Sequence, residues 1–89
     1  MQIGKVIGRV TATRKDERLV GTKLLITQPI RLDGTLTGHP IIAVDTVGAG
    51  VGEQVILVLG SMAARAIANE GAPVDAAIVG IIDSLESEQ

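Results

Sequence analysis

Residues 45–60 read DTVGAGVGEQVILVLG, and two folds compete for them. A dinucleotide-binding fingerprint places glycine at three spaced positions and follows it with a helix whose N-terminus receives the pyrophosphate. Gly48 and Gly50 fill the first two positions, but Glu53 stands where the third belongs and would repel a phosphate. The residues that follow, QVILVLG, are β-branched and strand-like. A P-loop would end in Gly-Lys-Ser or Gly-Lys-Thr, which is absent. The segment is therefore read as a tight, glycine-permitted excursion between two strands, and the chain around it as sheet.

Working outward, the same signature recurs. Residues 2–13 (QIGKVIGRVTAT) predict a first strand, with Gly4, Val6, Gly8, Val10 and Ala12 on one interior face. KLLITQPI (23–30) predicts a second, with Pro29 near an edge or bulge. IIAVDTV (41–47), EQVILVLG (53–60) and PVDAAIVGIID (73–83) predict three more. Between them, RKDER (14–18) reads as a solvated charged loop, and RLDGTLTGHP (31–40) carries an Asp33-Gly34 turn signal and a break at Gly38. SMAARAIANEG (61–71) predicts one short α-helix, with Ser61 as N-cap and Gly71 as its stop. The order β-β-β-β-α-β favours a mainly all-β fold, a small antiparallel barrel with one short α-helix. Residues 1–84 are read as a single domain and residues 85–89 as a polar tail.

Composition narrows the function. A chain of 89 residues makes one small domain and is marginal alone. It has no cysteine and a single histidine, His39, which excludes disulfides and thiolate or histidine-rich metal sites. The net charge of −2 and the lack of a basic block weigh against a nucleic-acid surface. The absence of Phe, Tyr and Trp removes base-stacking platforms. No apolar run approaches the ~18 residues of a membrane span, and no signal-peptide pattern opens the chain. A reducing, intracellular setting is the expectation.

The strands carry more apolar surface than a lone barrel can hide. Val55, Leu57 and Leu59 alternate with Ile56 and Val58; Ile78 and Ile82 with Val79 and Ile81; Ile41 and Ala43 with Ile42 and Val44. Each exposed Ile or Val forgoes ~1.5–3 kcal/mol of burial, and one short helix covers only part of a face. An obligate homo-oligomer follows. Small residues allow close backbone approach, so loop 48–52 and the Ala-rich helix are the candidate subunit contact. The residues singled out are Asp45, Gly48, Ala49, Gly50, Gly52, Ser61, Ala64, Arg65 and Asp75. Arg65 is expected to pair with Asp45 or Asp75. Gly50 is expected to need either a positive φ or room for a close neighbour.

Other chemical candidates have plainer readings. Gly60-Ser61 is half of a nucleophile elbow, but GSMAA lacks the closing glycine. Asp45, Asp75 and Asp83 lie at or near strand ends, and an Asp45–Asp75 acid–base pair would have no nucleophile, oxyanion motif or metal set beside it; turn capping or ion pairing explains them. His39, before Pro40, reads as a solvated loop residue.

In series, GKVIGRVTATRK, LVGTKLLITQPI, AVDTVGAGVGEQVILVLGSMAAR and PVDAAIVGIID resemble the bacterial microcompartment vertex family, which includes the EutN and CcmL shell proteins. The resemblance covers nearly the whole chain. It implies a five-stranded, OB-like β-barrel and a homopentamer that caps the five-fold vertices of a polyhedral shell in the cytoplasm. It implies hexameric shell proteins as further partners, and no catalysis, cofactor, metal, nucleic acid or membrane. The alternative is a small OB-like binding module for an oligonucleotide or small ligand, which the missing aromatics and acidic balance disfavour.

Overall fold

A computed structural model describes residues 1–13, 15–67 and 71–86. Five strands form: β1 (Gln2–Val10), β2 (Lys23–Pro29), β3 (Ile41–Asp45), β4 (Gln54–Leu59) and β5 (Ala76–Ile81). They close into one barrel in the order β1-β2-β3-β5-β4. All neighbours are antiparallel except β3 and β5. That parallel seam is short, pairing only Val44 with Ala77 and Asp45 with Ile78. Thr46 extends it, its N–H and hydroxyl both donating to the Ile78 carbonyl at 3.2 and 2.7 Å.

Aliphatic and small side chains fill the interior: Val6, Leu25, Ala43, Ala49, Val55, Leu57, Ala76 and Ile78, with Ile41, Leu59 and Ile81 packed against them. Gly4 belongs to the same packing. A Cβ there would stand 2.8 Å from Leu57 Cδ1, so the missing side chain makes room for a fully buried leucine.

Two bulges overturn simple alternation. β1 slips register between Val6 and Gly8, leaving Ile7 as the extra residue. Gly4 and Val6 point inward as expected, but Gly8 and Val10 then pair with Ile26 and Leu24 on the outer face, and Ala12 lies exposed beyond the strand. β5 slips between Ile78 and Gly80, so Ile81 packs on the core alongside Ile78 rather than opposing it. An inserted residue bends and twists the strand, which a five-stranded barrel needs in order to close.

The connections also differ from expectation. The short helix is a 3-10 helix, Gly60–Ala66, and not an α-helix from Ser61. Leu59 takes the N-cap position without a side-chain bond, and the Gly60 N–H is satisfied by the Asp75 carbonyl at 2.8 Å. At seven residues the helix is long for 3-10 winding, whose runs seldom exceed three or four. It buries Ala63 and Ala64 and packs against β5 and β4. Its expected stop at Gly71 follows residues 68–70, which lie outside the described residues, as do Arg14 and residues 87–89 of the polar tail.

The charged run leads into a 3-10 turn, Glu17–Leu19, capped by Asp16. Arg18 grips the Asp16 carboxylate through Nε and Nη2 and donates from Nη1 to the Gly71 carbonyl at 2.7 Å, tying this loop to the segment before β5. The Arg18 guanidinium beside Asp16 holds that carboxyl at about 2.

Candidate subunit interface

Loop 46–53 leaves β3, passes β5 and enters β4 on its far side, so it crosses one end of the barrel. Its centre is a plug: Ala49 is 1% exposed and sits in the core cluster. Charged groups at either end of the loop hold the plug in place. Asp45 Oδ1 accepts from the Val47 N–H at 3.1 Å, and Oδ2 from the Ala49 N–H at 3.0 Å. Lys23 Nζ lies 3.2 Å from Oδ2 and donates to the Ala49 carbonyl at 2.7 Å. Glu53 Oε1 accepts from the Gly50 N–H at 2.8 Å. The Gly52 N–H donates to the Val6 carbonyl at 2.8 Å, and the Val6 N–H to the Glu53 carbonyl at 2.9 Å, lacing the loop to β1.

These bonds answer the phosphate question. The amides of Val47, Ala49 and Gly50, which an anion would need, already donate to the chain's own carboxylates. Burial pushes the Asp45 carboxyl up, but the Val47 and Ala49 amides and Lys23 outweigh it, and its pKa lies below the ordinary value.

Positive φ occurs at Gly48 (81°) and Gly52 (95°), not at Gly50, where an added Cβ would meet only Glu53 Oε1 at an ordinary 3.5 Å. The positive φ expected as one ground for Gly50 is therefore corrected. The strain that disfavours side chains falls on its two neighbours, at ~1–3 kcal/mol each. Urea unfolding should rank Gly48→Val and Gly52→Val well below Gly50→Ala in stability; equal losses at all three would refute the assignment.

The other candidates occupy two kinds of position. Gly48, Gly52, Ser61, Arg65 and Asp75 are exposed and Gly50 is half-buried, whereas Ala49 and Ala64 pack within the protomer. Asp45 is committed to Lys23, its side chain 2% exposed, so it is neither a partner for Arg65 nor half of an acid–base pair with Asp75. Among the described residues, Arg65 and Asp75 make no ion pair within the protomer. His39 and Asp83 are exposed.

The sequence reading missed Lys23, Glu53 and Gln28 as structural polar groups. Gln28, buried after β2's apolar run, donates from Nε2 to the carbonyls of Pro29, Thr37 and Gly38. A polar residue inside an otherwise apolar strand was the available signal.

The outer surface remains apolar in places. Ile7 and Ile42 are 47% and 53% exposed, and Val47, Val51 and Met62 are exposed on the loop and the 3-10 helix. Val44, also on the outer face, is covered. A protomer of this size thus keeps unpartnered aliphatics around its girth and on the candidate contact itself.

The family model described as "Ethanolamine utilisation protein EutN/carboxysome" matches residues 1–83. The chain belongs to this family. Among EutN/carboxysome relatives, it is 45% identical over 87 residues to the bacterial microcompartment shell vertex protein GrpN of Rhodospirillum rubrum, covering 98% of each chain. The solved structure of that protein, described as a pentameric microcompartment shell protein, superposes with a TM-score of 0.89 at 44% identity, over 99% of this chain and 100% of the other. The CcmL structure from Nostoc sp. PCC 7120 gives a TM-score of 0.92 at 46% identity, over 99% and 93% of the two chains.

Proposed function

We propose that this protein is a structural shell component, a homopentamer that caps the five-fold vertices of a bacterial microcompartment in the cytoplasm and performs no catalysis. The observation that carries the reading is the end-to-end likeness in sequence and fold to shell vertex proteins, one of them described as pentameric. The physics supports it independently, because the exposed aliphatics of the outer face and of loop 46–53 need a partner.

A sheet of hexagonal tiles is flat, and five-fold units supply the curvature that closes it. In a cyclic ring each contact is heterologous, one surface packing on a different surface of the next copy. Loop 48–52 with Ser61, Arg65 and Asp75 forms one side of that contact in this reading. Arg65 and Asp75, which form no ion pair among the described residues, supply register more than net stability. Hexameric shell proteins are the neighbours at the outer sides of the ring. The domain that performs this role is residues 1–84, and residues 85–89 are its tail.

Native mass spectrometry should give five copies of the 9.2 kDa chain, 5 × 9.2 = 46 kDa, as the dominant species. Co-expression with a hexameric shell protein should give closed particles in electron micrographs, where the hexamer alone gives sheets or tubes. A stable monomer, or particles whose closure is indifferent to this chain, would sink the proposal.

A further inference from the structure

The end of the barrel away from the glycine loop carries a groove of about 570 Å³, between the start of β1, the end of β2 and loop 30–40. Its floor is apolar, with Ile3, Pro29, Ile30 and Ile41; Arg31 lines it with its Nη1 donating to the Leu36 carbonyl at 2.8 Å, the His39 ring stands beside it, and no carboxylate is among its described lining residues. The loop that forms one wall is held by its own bonds. The Arg31 N–H donates to the Thr35 carbonyl at 2.8 Å, and the Thr37 N–H to the Pro29 carbonyl at 3.0 Å. Gln28 adds its buried amide beneath. A wall ordered in advance lowers the cost of binding.

The complementary chemistry lies at the chain's other end. DSLESEQ (83–89) places Asp83, Glu86 and Glu88 around Leu85, and residues 83–86 are exposed. This segment leaves its own barrel in the wrong direction for its own groove. β5 runs antiparallel to β4, and the Ile82 N–H donates to the carbonyl of Gln54, β4's first residue. The chain therefore exits toward loop 46–53. The groove sits at β1's beginning, where Gln2 pairs with Leu57 toward the far end of β4. The acidic segment and the groove that carries Arg31 occupy opposite ends of one protomer. A head-to-tail contact between successive copies brings such ends together.

Resting on the ring proposed above, we infer that the groove receives the C-terminal segment of the neighbouring copy, with Leu85 on the apolar floor and Glu86 facing Arg31 and His39. Residues 83–86 are an acidic–apolar strap that each copy lends to the next.

The chain has no cysteine, so Leu32→Cys and Leu85→Cys introduced together supply the only thiols, both at exposed positions. Mild oxidation should give a ladder of covalent multimers on a denaturing gel that requires both substitutions. In the same preparation, native mass reports the ring. A ring without the ladder, or a disulfide closed within one chain, overturns the strap and leaves the ring standing. A monomer by native mass ends both. Glu86→Arg should raise the protein concentration at which the ring dissociates several-fold at low salt, with the difference shrinking at high salt; an unchanged dissociation curve at low salt counts against the contact.

Discussion

Gly4→Val is expected to unfold the protein under conditions where the parent is stable. The first atom of the new side chain would stand 2.8 Å from Leu57 Cδ1 and 3.4 Å from the Gln28 carbonyl oxygen. Neither neighbour yields easily, because Leu57 is fully buried and Gln28 is held by β1–β2 pairing. Overpacking of a closed core costs ~1–3 kcal/mol or more, a large part of the margin of a domain this small. The decisive measurement is a cycle. Leu57→Ala alone should cost ~2–5 kcal/mol through the cavity it leaves. Gly4→Ala should cost clearly less in that background than in the parent, since the added methyl enters the vacated space. Urea unfolding at one fixed protein concentration reads all four variants, and strict additivity would refute the contact.

Asp45→Ala should release the barrel's plug. It removes the acceptor for the Val47 and Ala49 amides and leaves Lys23 with only the Ala49 carbonyl. The Val47 donor can turn to water, but orphaning the part-buried Ala49 donor costs ~1–3 kcal/mol, so a clear fall in melting temperature and faster hydrogen exchange across loop 46–53 are expected. The pH dependence has a fixed sign. The folded-state pKa of Asp45 lies below its ordinary value of 3.8, so its contribution is fully present above that value and is lost as pH falls through the lower, folded one. Asp45→Asn should lower stability at neutral pH and flatten the decline below about pH 4 relative to the parent. A variant whose acid decline matches the parent's would show that the carboxylate is not held in this way.

Five strands, the excursion at the glycines and the excess of outward aliphatics were legible because each is a local pattern: alternating β-branched residues, a strand following GAGVGE, isoleucines on consecutive positions. What escaped depends on distance along the chain. Lys23 meets the Ala49 carbonyl across 26 residues, and no spacing rule announces it. The bulges at Ile7 and Val79 reversed the facing of Val10 and Ile81, because a single inserted residue inverts parity downstream. Barrel closure demands that bend, and strand sequence alone does not locate it. Gly48, Gly50 and Gly52 look alike in one dimension; only the path of the loop decides which of them takes positive φ. Ala49 and Ala64 read in sequence as small contact residues, but smallness also suits an alanine that stoppers a barrel or packs beneath a 3-10 helix. Loop 31–40 shows only turn signals in sequence, and its place as a wall of the groove beside Arg31 depends on the closed barrel.

The stoppered interior has a further consequence. With Ala49 closing one mouth and Leu25, Leu57 and Ile78 filling the bore, no solute can thread an individual protomer. Any permeation through an assembly of such units runs along the axis between copies. Its gauge is then set by side chains that a single copy leaves on its skin, so a sieve could be retuned by surface substitution without disturbing the barrel that carries it.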